Sequence, residues 1–222
     1  MIKKRQRVKM SLKATNTRFV KTSVINTSMM KSFILSFFVL LFSTQSFAYS
    51  YAAAGKEPLI EGREVLLKAL SANDYIAVNT AYNSMRAEFV YFNEHHGMNV
   101  DTQMETAISN KDQQAIVTAL ITTMKAEVMR RLEGAEQNIN DYQVAKVLVV
   151  KSKLFIDLLA ANLTADNRQK ADLAIRGALA SIGNPGVFGV GQKPADLTRF
   201  IAFRTDLQTA LQFTLPDAPT KQ

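Results

Sequence analysis

Apolar side chains recur at helical spacing along most of this chain, and one segment shows the pattern most cleanly. Tyr75, Val78, Tyr82, Met85, Phe89 and Phe92 alternate at intervals of three and four residues. That seven-residue repeat predicts a helix lying at a shallow angle along a partner. Asp74 before it can accept the unbonded N–H groups of a first helical turn, and Gly97 after it suits a left-handed cap. Upstream, Leu59, Ile60, Val65, Leu66, Leu67 and Leu70 give a broad stripe ending near Ser71, opened by Pro58, whose missing N–H costs nothing in a first turn.

Downstream, Asp101 is expected to begin a short helix carrying Met104 and Ile108, which Asn110-Lys111-Asp112 interrupts. A long helix follows from Gln113 with Val117, Ile121, Met124, Val128, Leu132, Ala135 and Ile139 on its stripe. Asn138 to Asp141 favours turns and caps, so a turn or kink is expected there in preference to one unbroken helix. Tyr142 to Leu163 is apolar on most sides, which predicts a central, heavily buried helix. Thr164 caps the next helix, with Ala174, Ile175, Ala178, Leu179 and Ile182 inward and Gly183 at its end. Pro194 is expected to start the last helix, whose inner face would be Leu197, Phe200, Ile201, Leu207 and Leu211. No strand pair and no internal repeat is expected. The pattern predicts an all-α fold: a single antiparallel helical bundle of about 5–7 helices over residues 57–215.

One stretch breaks the helical pattern. Ser32 to Phe42 (SFILSFFVLLF) is an uninterrupted run dominated by Phe, Leu, Ile and Val, well short of the roughly 20 residues a bilayer-spanning helix requires. Lys31 precedes it, and Ser46-Phe47-Ala48 places small residues where a signal peptidase inspects. Residues 30–48 are therefore expected to be a cleavable signal peptide cut near Ala48, within a targeting segment 1–48. Residues 1–29 hold eight Lys and Arg and no acid, and two methionines, Met29 and Met30, stand directly before Lys31. Translation starting at one of these two is the simplest reading. Residues 49–56 are expected to be a disordered mature N-terminus and 216–222 a flexible tail.

Charge changes its meaning once the leader is set aside. The chain carries a formal +8, which alone would suggest nucleic acid. Nine of its 27 basic residues lie in 1–48, leaving 18 against 19 acids, a net charge near −1. Nucleic acid is rejected as a partner, no polybasic patch is left to hold an anionic membrane, and no membrane span is expected in the mature chain. Cysteine is absent, which removes disulfides, thiol redox chemistry, Cys-ligated metals, haem attachment through C-x-x-C-H and a lipid anchor on Cys.

Candidate chemistry is sparse. The two histidines, His95 and His96, are adjacent at the end of the Tyr75 helix, and Glu88 lies seven residues before His95 on the same face. With Met98 and Glu127 they form the one conceivable transition-metal set, for copper or iron, although no second Glu-x-x-His pair completes a di-iron pattern. A helix end whose histidines pack or cap is the favoured alternative, and no cofactor is predicted. Glu127–Arg131 and Arg130–Glu133 have helical ion-pair spacing; a solvated face is the favoured reading, and a functional one would place Glu127 inside the bundle facing Glu88 or His96. The loop Gly183 to Lys193 has four glycines but no G-K-[ST] and no preceding strand, so phosphate binding fails. A loop folded over the bundle end with Phe188 buried is expected; the alternative is a lid or partner-docking loop using Pro185, Val187, Phe188 and Val190. No serine sits in a nucleophile-elbow context. These readings converge on an exported, periplasmic binding or interaction protein for an unknown protein or small ligand, not an enzyme. A metal- or cofactor-binding bundle through His95 and His96 is the rival.

Overall fold

Local sequence signals set the helix boundaries of the structure, a computed structural model that describes residues 57–188 and 190–217. The expected leader, its cut site and the mature N-terminus lie outside the described residues, as do Gly189 and 218–222. Among the described residues there are seven α-helices: α1 (Pro58–Ser71), α2 (Tyr75–His96), α3 (Val100–Ser109), α4 (Gln113–Gln137), α5 (Tyr142–Leu159), α6 (Ala165–Ser181) and α7 (Leu197–Leu211). Five carry a side-chain N-cap of the expected kind. Asp74 accepts from Ala77 N, Asp112 from Ala115 N, Asp141 from Gln143 N and Val144 N, Thr164 from Asn167 N, and Asp196 from Arg199 N. Gly97 closes α2 in the left-handed conformation at φ 60°. The turn expected near Asn138 is present, with Asp141 restarting the chain as α5.

Two boundaries differ from expectation. The last helix begins at Leu197 instead of Pro194, because Asp196 supplies the cap and Pro194 has no such group. Asp101 does not cap α3; it lies in its first turn and is buried against α2.

Packing begins with neighbours in sequence. A three-residue turn folds α2 back on α1, and Gly62 lets the two approach until an added Cβ would stand 2.8 Å from Met85 Sδ. In the same way Gly177 of α6 faces the Phe203 ring of α7, with Cζ 2.5 Å from where a Cβ would be. The α2 seam is buried as its spacing predicts, from Val78 through Tyr82, Met85 and Phe89 to Phe92. Tyr82 and Phe89 meet edge to face, centroids 5.4 Å apart, and each such ring contributes about 1.5–3 kcal/mol through burial alone.

The centre of the molecule is α4, not α5. Helix α4 packs against α1, α2, α3, α5 and α7, and its buried residues run round most of its circumference, from Ile116 to Ala135. Helix α5 is packed chiefly on α4, so Val150 and Leu154 on its far side stay open to solvent. Leu179, Leu197 and Ile201 are likewise exposed instead of inward; α7 turns Phe200, Leu207, Ala210 and Leu211 to the core. No helix among the described residues is long and apolar enough to cross a membrane.

Candidate functional site

The central position of α4 decides the fate of its charged residues. With neighbours on so many sides it has no solvated face near residues 123–132, and Glu127 and Arg131 are 1% and 4% exposed. The expectation of a solvated ion-pair face is corrected accordingly. Arg131 Nε donates to Glu127 Oε1 at 2.7 Å, and its Nη2 reaches Glu57 Oε2 at 2.6 Å, just ahead of α1. Its guanidinium stands 4.9 Å from the centre of the Phe155 ring of α5, a stacked placement that suits a planar cation. Lys151 of α5 holds the other Glu57 oxygen at 2.8 Å. Arg130 bonds both oxygens of Glu127 at 2.6 and 2.7 Å, while Glu133, its expected partner, faces Arg204.

This buried network joins the Glu57 segment, α4 and α5 by charge-assisted bonds. Burial works against the Glu57 charge, yet Arg131 and Lys151 outweigh it and hold the carboxyl below the usual range. Glu88 on α2 goes the other way: burial, and then the Glu127 charge, push it up. The structure thus brings Glu88 and Glu127 into electrostatic reach of one another, as the interior reading of Glu127 required. Their company is Arg130 and Arg131, however, and not His96.

The histidines are engaged separately. The His95 ring stacks on Tyr91 at 4.3 Å between centroids, and its Nδ1 lies 3.0 Å from the Tyr91 carbonyl. His96 packs on Phe92, with Nδ1 2.9 Å from the carbonyl of Pro216 in the C-terminal segment. Met98 packs against the core. Among the described residues no three His, Asp or Glu side chains gather as a metal would require. A second polar cluster escaped sequence reading altogether. Buried Asp101 accepts from Tyr82 Oη and from Arg86 Nε and Nη2. It ties the start of α3 to α2. Burial raises the Tyr82 phenol, helped by the Asp101 charge. An acid three residues before Met104, on the inward face of a short helix, was the signal available.

The loop between α6 and α7 holds the largest departure from expectation. Instead of folding over the helices it pairs with itself. Asn184 and Lys193 exchange both backbone bonds at 2.8 Å, and Val187 and Val190 do so at 3.0 Å. The result is a miniature hairpin whose turn is two residues long. Self-pairing holds the tip off the helices, so Val187 is 72% exposed, Phe188 103% and Val190 79%. Phe188 also has a positive φ of 50°. The first position of such a turn is where Gly, Asn or Asp is preferred, and an ordinary side chain there costs roughly 1–2 kcal/mol. At the base, Gly183 at φ 78° brings its Cα side within 2.5 Å of the Lys193 carbonyl, measured to an added Cβ, so only glycine fits.

Open grooves lie elsewhere. One of about 700 Å³ runs between α3 and α4, lined mostly by uncharged side chains such as Thr102, Gln103, Thr106 and Gln114, with Asp112 at one end, over an alanine floor. Another, of about 470 Å³, lies between α5 and α6 beside Asp157, Arg168 and Arg176. Neither includes a candidate site residue drawn from the sequence. Protein-family models, curated proteins and solved structures give no match to the chain. The functional argument rests on its own geometry.

Proposed function

We propose that this chain is an exported binding module: a signal peptide at 30–48 sends it to the periplasm of a Gram-negative cell, an antiparallel helical bundle of residues 57–215 forms a rigid body, and the α6–α7 hairpin docks on a partner through Pro185, Val187, Phe188 and Val190. The observation that carries this is Phe188. An aromatic ring is fully solvated at a backbone position that disfavours it, while the hairpin around it is fixed by paired backbone bonds. Neither local propensity nor packing explains a phenylalanine there, and an exposed aromatic on a preorganised support is how binding anchors are built. The buried ion network and the capped helices supply the rigid frame.

Site-specific photo-crosslinking in cells expressing the full-length chain tests the proposal. A photoreactive residue at position 188 is expected to give an adduct, to protein or to lipid, in the exported fraction, and one at Ile76, another exposed apolar position, none. N-terminal sequencing of the recovered protein should begin near Tyr49. Equal labelling at the two positions, or retention of the chain in the cytoplasm, would refute the proposal.

A further inference from the structure

We infer that the surface docked by this hairpin is the interfacial zone of a lipid bilayer; the inference rests on the docking role proposed above and names its target. Three observations favour lipid. The tip is convex and apolar, formed by exposed Val187, Phe188 and Val190 with Pro185 behind them. Its backbone pairs internally through the Val187–Val190 and Asn184–Lys193 exchanges, and Gly186 N donates to Asn184 Oδ1 at 3.0 Å, so these groups ask for no partner on the surface they meet. Internal pairing lowers the cost of entering an apolar zone, which offers no hydrogen bonds of its own. Charge fits as well: from Ile182 to Ala195 there is no acid, and the one charged side chain is Lys193. It sits at the hairpin base, three residues from Val190 and so at most about 10 Å from it, where headgroup phosphates would lie when the apolar end is buried to a typical interfacial depth of about 5–10 Å. A wedge this short anchors a protein on a surface without spanning it.

The chain has no tryptophan, so Phe188→Trp introduces a single indole at the tip. The exported form of the full-length chain, recovered after expression, is mixed with vesicles of phosphatidylethanolamine and phosphatidylglycerol. The indole emission is expected to shift to shorter wavelength and to be quenched by brominated acyl chains. Phe188→Asn, which suits the positive φ and preserves the hairpin, should weaken vesicle co-sedimentation by about 10- to 100-fold. Val190→Ser, which leaves the strained position untouched, should weaken it as well, and Ile76→Asn should not. Omitting phosphatidylglycerol should weaken it by no more than about fivefold, the share of one lysine. An unshifted indole spectrum, or equal co-sedimentation of the Phe188→Asn and unaltered proteins, overturns the inference. If the position-188 crosslink then yields a discrete protein adduct, the tip docks on protein and only the lipid target falls. If it yields none, the docking role falls with it.

Discussion

Replacing Arg131 by Met is the sharpest probe of the frame on which the hairpin stands. Methionine keeps much of the volume over Phe155 but removes a guanidinium that is 4% exposed and bonds two carboxylates. Breaking one side of a buried ion pair typically costs 3–5 kcal/mol, because the charge left behind is uncompensated. Here compensation is partial, since Arg130 still holds Glu127 and Lys151 still holds Glu57. The lower end applies, about 3 kcal/mol at pH 7. Urea unfolding followed by circular dichroism should show this as a lower midpoint at an unchanged slope. The cost should also depend on pH. Glu57 is held below its ordinary 4.5 when folded, so its contribution is complete above about pH 4.5 and fades as pH falls through the depressed folded value. The gap between variant and parent should therefore close on acidification. As a control, Lys170→Ala removes an ion pair whose members are both more than half exposed, and should change stability by under about 1 kcal/mol. An Arg131→Met midpoint indistinguishable from that control would refute the idea that this network is buried and coupled.

Three further outcomes follow from the same structure. Gly177→Ala places a methyl within 2.5 Å of the Phe203 ring and should cost about 1–3 kcal/mol, with recovery in a Gly177→Ala/Phe203→Leu double variant; thermal unfolding of all three settles it. Glu88, raised by burial and then by Glu127, binds its proton more tightly folded than unfolded, so its ionisation lowers stability as pH rises from about 4.5 through the raised folded value. Glu88→Gln should therefore be more stable than the parent at pH 7 and equal to it at pH 4, a comparison made by paired denaturant titrations. Asp141→Ala loses the bonds to Gln143 N and Val144 N and should cost about 1 kcal/mol, read from the same unfolding curves without loss of helical signal at low temperature.

Legibility from sequence followed the range of each interaction. Caps and stripes are local, so Asp74, Thr164 and Gly97 could be read directly, as could the α2 seam. The ion network could not. Glu127 and Arg131 have the same four-residue spacing whether solvated or buried, and the residues that decide between these, Glu57 and Lys151, lie on other elements. A long helix with small residues on several faces, Ala119, Ala126 and Ala135, was the available sign that it would be surrounded. The even apolarity of α5 pointed to the wrong helix as the centre, because composition says nothing about how many neighbours arrive. Phe188 misled for a related reason: aromatics are usually inside, but here backbone self-pairing removed the loop from the surface that would have covered it.

The division of contacts has a consequence for how the molecule opens. Helices α6 and α7 pack most extensively on each other and reach the remainder through α5 and α4. They and the hairpin are therefore expected to open together, at a free energy below that of global unfolding. Amide exchange should show this as a common, lower protection for residues 165–211 than for α4. Uniform protection across both would mean that the molecule opens only as a whole. If the unit does detach, the segment carrying the exposed tip can reorient on whatever surface it meets while the central helix keeps its shape.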